Sequence, residues 1–298
     1  MTGQNTHCRA CGAAFGPVFC DLGNMAVANS YLPPEADPNL EPRFPLCAVV
    51  CSACRMVQLN HVVDATGIFR DYAYFSSASS SWLDHARQFC DAMTTRLGLG
   101  PQSLVIEVAS NDGYLLKNFV TSDIPCLGIE PAANVAAVAK AAGIPTEVAF
   151  LDATTAADVV ACQTRTADLV VANNVLAHVP DINGFVAGLA LLIAADGTLS
   201  VEVPHLLKLV DGVQFDTIYH EHYAYWSLLA VERLFGRHGL HVYDVEHLST
   251  HGGSLRILAS PTLRPASAAV LALRQFEADR GLDDDRFYTG FNACVADV

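Results

Sequence analysis

The sequence predicts an α/β protein in which a small cysteine-rich domain precedes a mostly parallel sheet covered by helices on both faces. Two observations support this fold class. From Ser103 onward, short apolar runs rich in β-branched residues alternate with amphipathic stretches, as in doubly wound sheets. Before that point, prolines are frequent and two C-x-x-C pairs stand in place of periodic apolar residues. The predicted domains are residues 1–75, 76–264 and a helical segment at 265–298.

The composition indicates a folded protein with a small-molecule partner. Of the 298 residues, 52% are hydrophobic and 16% are charged, which is enough apolar material for a substantial core. The formal net charge is −14 and no run of Lys or Arg is present, which argues against a nucleic-acid partner. The longest apolar run, 184–195, is too short for a bilayer, and the N-terminus lacks a signal-peptide pattern. We therefore expect a soluble cytoplasmic protein with no membrane partner.

Four cysteines are the predicted ligands of a structural zinc ion: Cys8, Cys11, Cys51 and Cys54. Each C-x-x-C pair can present two thiolates on a tight turn, and two pairs complete a tetrahedral shell. The proline-rich segment between the pairs has little periodic core, so metal binding would contribute to its folding free energy. The alternative is a redox dithiol. Cys20 and Cys47 could replace a ligand, although neither has the spacing of a pair.

The strands and helices of the central domain follow from the hydrophobic pattern. A strand at 104–108 leads through a polar turn at 109–113 to a helix at 114–120. The later elements are strands at 126–130, 168–174 and 197–203, and helices at 132–142 and 185–193.

Polar side chains follow these strands at their carboxyl ends, where ligands bind in such sheets. Glu130 ends the second strand, and its carboxylate can accept both hydroxyls of a ribose. The turn lacks a full G-x-G-x-x-G, so a dinucleotide fits poorly and S-adenosylmethionine fits better. The alternative is a generic turn with incidental acids, and Asp152 could equally cap a helix. The candidate cofactor-binding residues are Glu107, Ser110, Asn111, Asp112, Gly113, Glu130, Asp152, Asn173 and Asn174.

The run 215–226 (FDTIYHEHYAYW) contains two imidazoles, two carboxylates and three phenols. Histidine titrates near neutrality, and the flanking aromatic residues indicate partial burial, so the run predicts a proton-abstracting site. One alternative is a polar loop with surface histidines. Another is a second metal site at His220-Glu221-His222, although the spacing is not H-E-x-x-H.

Taken together, these parts resemble the S-adenosylmethionine-dependent sugar C-methyltransferases that act at C-3′ of nucleotide-linked 4-keto-deoxysugars. The shared motifs are the paired cysteines, YAYFSS at 72–77, EVASNDG at 107–113, EVPH at 202–205, FDTIYHEHY at 215–223 and HGGSLR at 251–256. The last two are specific to that family. The resemblance implies a Rossmann-like class I methyltransferase domain behind a zinc-binding domain. Family members continue into a second α/β domain that helps hold the nucleotide-sugar, whereas this sequence stops at Val298.

The resemblance implies methylation of a carbon beside a ketone, in deoxysugar and antibiotic biosynthesis. That chemistry needs a base for the α-proton and donors for the enolate oxygen. His222 is the candidate base, with Glu221 orienting it or contacting substrate. Tyr219 and Tyr74 are candidate donors, and His178 could reach the ketone.

Three further histidines have other expected roles. If the run is extended, His220 and His222 share one face and His220 could compete as the base. His205 could line the pocket, and His251 is expected to be structural.

The segment 265–298 predicts one amphipathic helix that folds back or mediates homo-oligomerisation. Its apolar positions are Val270, Leu271, Leu273 and Phe276. Two other functions remain open. One is a methyltransferase acting on a non-sugar keto compound or a hydroxyl group in secondary metabolism. The other is a non-catalytic zinc-containing binding module.

Overall fold

The computed structural model describes residues 3–64 and 74–297. Tyr72 and Ala73 of the 72–77 motif lie outside the described residues. Within the described part, the chain forms three β-sheets and ten helices, and none of these helices is long and apolar enough to cross a membrane.

The N-terminal region is built from two small antiparallel sheets. Its strands are β1 (Gly3–Gln4), β2 (Phe15–Ala26), β3 (Arg43–Cys51), β4 (Val57–Leu59) and β5 (His61–Val62). β1 pairs with β5, and β2, β3 and β4 form the second sheet. A later strand, β11 (Ala224–Tyr225), adds to the edge at β4. The end of the histidine-rich run is therefore part of the N-terminal sheet.

The central sheet has seven strands in the order β12-β13-β10-β9-β6-β7-β8. Their bounds are β6 (Val105–Val108), β7 (Cys126–Ile129), β8 (Thr146–Glu147), β9 (Ala167–Asn173), β10 (Ile193–Pro204), β12 (His241–Leu248) and β13 (Ser254–Ser260). β6 to β10 run parallel, and β13 is antiparallel to both of its neighbours. This mixed, mostly parallel sheet confirms the predicted fold class.

Helices connect the strands and cover the sheet. They are α1 (Ser80–Leu97), α2 (Leu116–Thr121), α3 (Ala133–Ala141), α4 (Ala153–Gln163), α5 (Ile182–Leu192), α6 (Leu206–Asp211), α7 (Leu228–Gly236), α8 (Ala268–Asp279), α9 (Asp285–Thr289) and α10 (Phe291–Ala296). Every residue of β6 and β7 is buried, as expected for parallel strands covered on both faces.

The strand order places a ligand-binding edge beside β6. The chain moves outward from β6 to β7 and β8, then crosses back to β9 on the other side of β6. Such a reversal opens a crevice at the carboxyl ends of the strands. The turn after β6 bends sharply there, with positive φ angles at Ala109, Asn111 and Gly113.

The C-terminal segment consists of three helices, so the expectation of one continuous helix was wrong. Gly281, at φ +78°, follows the end of α8 and adopts the left-handed conformation that a helix stop favours. Val270 and Leu273 are buried in the central core, whereas Leu271 is 55% and Phe276 is 48% exposed. Further along, the Phe291 ring stacks on Phe19 of β2 with centroids 4.6 Å apart.

Candidate functional site

One cavity of about 1220 Å³ opens at the carboxyl ends of the central strands. Its walls come from the central sheet, the loop at 27–31, the segment at 62–64 and the histidine-rich run. It is lined by all five predicted catalytic residues, namely Tyr74, His178, Tyr219, Glu221 and His222. It is also lined by five predicted cofactor residues, namely Asn111, Glu130, Asp152, Asn173 and Asn174. The fold therefore brings together two residue sets that are far apart in the sequence.

The other four predicted cofactor residues lie behind this wall: Glu107, Ser110, Asp112 and Gly113. Burial, together with the charges of Glu130 and Asp112, raises the pKa of Glu107 well above its usual value. Gly113 has φ +78°, which L side chains rarely adopt, and an added Cβ would lie 2.2 Å from Ile144 Cδ1, so this position favours glycine. A cofactor role for these four residues stays a prediction.

Glu130 sits at the end of β7 with both carboxylate oxygens held by backbone groups. The N–H of Asn111 donates to one oxygen and the N–H of Ala132 to the other, each at 2.8 Å. Burial raises the pKa of Glu130, and these two hydrogen bonds oppose the rise. The carboxylate is thereby fixed in direction at the cavity edge.

Asn111 joins the turn after β6 to the segment that carries Tyr74. Its side-chain oxygen accepts from the N–H of Ser76 at 2.9 Å, and its amide group donates to the carbonyl of Tyr74 at 3.1 Å. Tyr74 itself is 52% exposed on the cavity.

Two asparagines at the end of β9 present polar atoms without partners in the described chain. These atoms are Asn173 Oδ1 and both side-chain polar atoms of Asn174. Buried polar groups are costly unless a ligand or water satisfies them. Because both residues line the cavity, they fit a polar ligand bound there. Asp152, by contrast, caps α4 by accepting from the N–H of Thr155 at 2.7 Å, although it also reaches the cavity.

The hydrogen bonds of His222 define its tautomer. Nδ1 lies 2.8 Å from the carbonyl oxygen of Thr217, which can only accept, so Nδ1 carries the proton. In the neutral ring, Nε2 then accepts from the hydroxyl of Tyr219 at 2.9 Å. Burial lowers the pKa of His222 to about 3, and nearby His178 adds to this effect. Near neutral pH, Nε2 is therefore an unprotonated acceptor on the cavity wall.

His178 lies beside His222, with ring centroids 4.8 Å apart. Its Nδ1 donates to the carbonyl of Glu221 at 3.0 Å, and burial lowers its pKa to about 4. Both rings are neutral at pH 7, which removes the charge repulsion that this separation would otherwise cause.

The side chain of Glu221 does not orient His222, which corrects one of its two expected roles. Its carboxylate accepts instead from the amide of Asn29 at 2.9 Å, and burial raises its pKa. The orienting groups are the Thr217 carbonyl and the Tyr219 hydroxyl. Glu221 still lines the cavity, where it can contact a substrate.

The histidine-rich run is not extended, so the condition under which His220 could compete as the base is not met. A short 3₁₀ turn at Phe215–Thr217 precedes further turns, so His220 and His222 do not share a face. His220 is buried with Nε2 donating to the Phe44 carbonyl at 3.2 Å, and it is not among the residues lining the cavity.

His251, which was expected to be structural, lines the cavity together with Trp82, which the sequence pattern did not single out. Their rings meet edge-on with centroids 5.4 Å apart. His251 has φ +51°, a conformation that is uncommon outside glycine and clusters at functional sites. Its position directly before two glycines was the available signal. His205, expected to line the pocket, does so while its Nε2 bonds the buried carboxylate of Glu277 at 2.9 Å.

The four predicted zinc ligands form one cluster. The Sγ atoms of Cys8, Cys11, Cys51 and Cys54 all lie within 4.8 Å of one another. Tetrahedral zinc with Zn–S bonds of about 2.3 Å places its sulfurs about 3.8 Å apart. The observed Cys8–Cys54 and Cys11–Cys51 distances are 3.5 and 3.4 Å, so the cluster fits the ion.

Hydrogen bonds to sulfur support the same assignment. The backbone N–H groups of Ala53 and Cys54 point at Cys51 Sγ, at 3.4 and 3.3 Å. The amide of Gln58 donates to Cys8 Sγ at 3.1 Å. Such donors stabilise thiolates in metal sites.

A family model described as a methyltransferase domain matches residues 82–245, which is more than half of the chain. The chain belongs to this methyltransferase family. A second family model, described as a zinc binding domain, matches residues 8–69 around the cysteine cluster. The cluster is therefore the structural zinc site of a zinc-binding domain that precedes the methyltransferase domain.

The methyltransferase is similar to the C-methyltransferase NovU of Streptomyces niveus, with 37% identity over 270 residues. The match covers 89% of this chain and 64% of the relative, so the chain spans 64% of the length of that relative. Among solved structures, the magnesium protoporphyrin IX methyltransferase of Synechocystis PCC 6803 is 17% identical with a TM-score of 0.46, covering 60% of this chain and 84% of that chain. The PH0226 protein of Pyrococcus horikoshii OT3 is 11% identical with a TM-score of 0.48, covering 66% and 98% respectively.

Proposed function

We propose that the protein is an S-adenosylmethionine-dependent C-methyltransferase that deprotonates and methylates a carbon beside a ketone. The proposed acceptor is a nucleotide-linked 4-keto-deoxysugar. One observation carries the proposal: the unprotonated Nε2 of His222, bonded to a phenol, shares a cavity with the carboxylate of Glu130. When bound, S-adenosylmethionine would supply a methyl group attached to a positively charged sulfur.

The geometry of Glu130 supports binding of the adenosyl half. Backbone N–H groups fix the carboxylate, and each oxygen retains acceptor capacity for one hydroxyl of a ribose. The unpartnered amides of Asn173 and Asn174 can meet other polar atoms of the same ligand.

The charge of the cavity supports a cationic methyl donor. Seven carboxyl side chains line it, and no Lys or Arg is among its described lining residues. The seven are Asp64, Glu130, Asp152, Asp181, Glu202, Asp216 and Glu221. Glu202 is paired with Arg256 at 2.7 Å, and the negative charge of the other carboxyl groups would repel a diphosphate. In this proposal the sugar ring enters the cavity and the nucleotide diphosphate stays outside it.

His222 is the proposed base, because its tautomer leaves Nε2 as the acceptor. The α-proton of the substrate moves to Nε2, while Nδ1 keeps its bond to the Thr217 carbonyl. The burial that keeps this nitrogen unprotonated also makes the imidazole a weak base in the absence of substrate. A negative enolate forming beside the ring raises its pKa, so the ring gains basicity in the transition state.

Tyr219 and Tyr74 are the proposed donors to the enolate oxygen. When the proton takes its place on Nε2, the Tyr219 hydroxyl is freed to donate to the developing charge. In this proposal the carboxylate of Glu221, held by Asn29, contacts a sugar hydroxyl, and the neutral ring of His178 beside His222 would reach the ketone.

The test combines labelled methyl transfer with a matched pair of variants. The protein is incubated with methyl-deuterated S-adenosylmethionine and a 4-keto-deoxysugar nucleotide, and products are examined by mass spectrometry and NMR. We expect a stable methyl group on carbon. His222→Asn should lower turnover by about 10²- to 10⁴-fold and change cofactor affinity less than twofold. His220→Asn is the matched control, because that ring bonds Phe44 instead of lining the cavity.

Three results would contradict the proposal. A methyl group on oxygen would assign a hydroxyl acceptor. Normal turnover in His222→Asn would move the base to His178 or Glu221. Absence of S-adenosylmethionine binding in calorimetry would leave a non-catalytic zinc-containing module.

A further inference from the structure

We propose that Arg9 is a positioning residue through which the zinc site holds the two loops that carry His178 and His222. Arg9 lies inside the first zinc knuckle, which is Cys8-Arg9-Ala10-Cys11. The proposal rests on the proposed function for the roles of the two histidines. It goes further by giving the zinc domain a part in methyl transfer.

The guanidinium of Arg9 reaches both loops at once. One terminal nitrogen donates to the carbonyls of Val179 and Pro180, at 3.2 and 3.0 Å, and Val179 directly follows His178. The other donates to the carbonyl of Tyr223, which directly follows His222. Because a guanidinium is planar and rigid, its two nitrogens set the spacing between these loops.

The backbone of Arg9 is itself anchored to the metal site. Its N–H donates to the side-chain oxygen of Gln58 at 3.1 Å, and the amide of Gln58 donates to Cys8 Sγ at 3.1 Å. On the other side, the amide of Asn183 in α5 donates to the carbonyls of Arg9 and Ala10, at 2.7 and 3.1 Å. A chain of contacts therefore runs from the zinc ligand to the loops.

Two hydrogen bonds also connect the loops directly, close to the His178–His222 ring contact. The N–H of Tyr223 donates to the Ala177 carbonyl at 2.7 Å, and His178 Nδ1 donates to the Glu221 carbonyl at 3.0 Å. Both connections lie close to the histidines. Without Arg9, three carbonyls would lose a charged donor, and the loops could shift as a pair relative to the sheet that holds Glu130. A displacement of about 1 Å between reacting groups can cost about 10²-fold in rate.

Two variants and one control test this role. Arg9→Met keeps most of the aliphatic stem and removes every side-chain donor, while the backbone N–H that donates to Gln58 stays. Arg9→Lys keeps the charge but offers one ammonium, which cannot span both loops. Arg55→Met is the matched control, since Arg55 directly follows the other C-x-x-C pair and its guanidinium bonds Asp283 and Asp285 instead.

Three quantities are measured on the full chain: zinc content, hydrogen–deuterium exchange, and kcat with KM for S-adenosylmethionine. For Arg9→Met we expect one zinc per chain, exchange at least tenfold faster in 176–181 and 217–224, and kcat lower by about 10²-fold. KM for S-adenosylmethionine should change less than twofold. Arg9→Lys should give exchange rates and a kcat between those of wild type and Arg9→Met. Arg55→Met should resemble wild type in zinc content, exchange and kinetics.

Several outcomes would overturn the proposal. They are wild-type exchange of both loops in Arg9→Met, loss of zinc from that variant, or an equal fall of kcat in Arg55→Met. If Arg9→Met does not fold, Arg9→Lys decides, because wild-type exchange and kcat in that variant would also refute the role. If wild type transfers no methyl group, the proposed function fails, while the exchange comparison still decides whether Arg9 holds the loops.

Discussion

Replacing His222 by Asn should make folding less sensitive to acid. Burial lowers the pKa of His222 in the folded protein to about 3, against an ordinary value of 6.5. As the pH falls through 6.5, the unfolded chain binds a proton at this site that the folded chain does not. The free energy of unfolding therefore decreases from about pH 6.5 down towards pH 3, and is unaffected by this group above that window.

The size of the effect follows from this difference. The value pH 5 lies about 1.5 units below the pKa of this imidazole in the unfolded chain, and each unit corresponds to about 1.4 kcal/mol of unfolding free energy. His222 should therefore cost about 2 kcal/mol of stability between pH 7.5 and pH 5. Asn has no titrating group in this range, and its amide can still donate to the Thr217 carbonyl that now accepts from Nδ1.

The assay is urea unfolding followed by circular dichroism at pH 7.5 and pH 5.0. The loss of unfolding free energy should be about 2 kcal/mol smaller in His222→Asn than in wild type. Tyr219→Phe is the control, since it removes the bond to Nε2 and keeps the titrating ring. Acid effects at the zinc thiolates occur in all three proteins and cancel in the comparison. Equal losses in wild type and His222→Asn would refute the buried, neutral state assigned to this ring.

Three other changes have defined outcomes. In Glu130→Gln an NH₂ group replaces one carboxylate oxygen, so two donors face each other where a backbone N–H now donates to that oxygen. The calorimetric Kd for S-adenosylmethionine should therefore rise about 10- to 100-fold, and an unchanged Kd would remove Glu130 from the cofactor site. Cys54→Ser should lower zinc content and abolish exchange protection in β2 to β4 while the central sheet stays protected, because metal binding contributes folding free energy to the N-terminal domain; full protection without zinc would contradict this. Glu277→Gln should lower the unfolding free energy by about 1–3 kcal/mol, because its buried carboxylate accepts from His205 and from two backbone N–H groups at the start of α7. Glu232→Gln removes a partly accessible ion pair between α7 and Arg274 of α8 and should cost less than about 1 kcal/mol, and equal costs in the two variants would contradict the role of burial.

Local patterns predicted most of the central domain and the metal site. The expected strands at 104–108, 126–130 and 168–174 correspond to β6, β7 and β9 within one residue at each end. These elements follow from periodicity, which is a property of neighbouring residues. The metal site was equally predictable from the cysteine pairs, because two thiolates on one tight turn can bind a metal in any fold.

The prediction of a single C-terminal helix was wrong, and the reason is also local. Gly281 ends α8 with a positive φ angle, and a glycine at this place is a helix-stop signal. The apolar spacing at Val270 and Leu273 belongs only to α8, which precedes this glycine.

The sequence by itself determined the fold class, the zinc ligands and ten of the side chains that meet at the cavity. Only the tertiary structure decided how those side chains are used. Glu221 stands next to His222 in the chain, yet its carboxylate bonds Asn29, 192 residues away in sequence. Likewise, Arg9 donates to a carbonyl 170 residues away. Chain neighbours share a backbone, whereas hydrogen-bond partners are chosen by which groups are buried together without water, and that choice requires the packed fold.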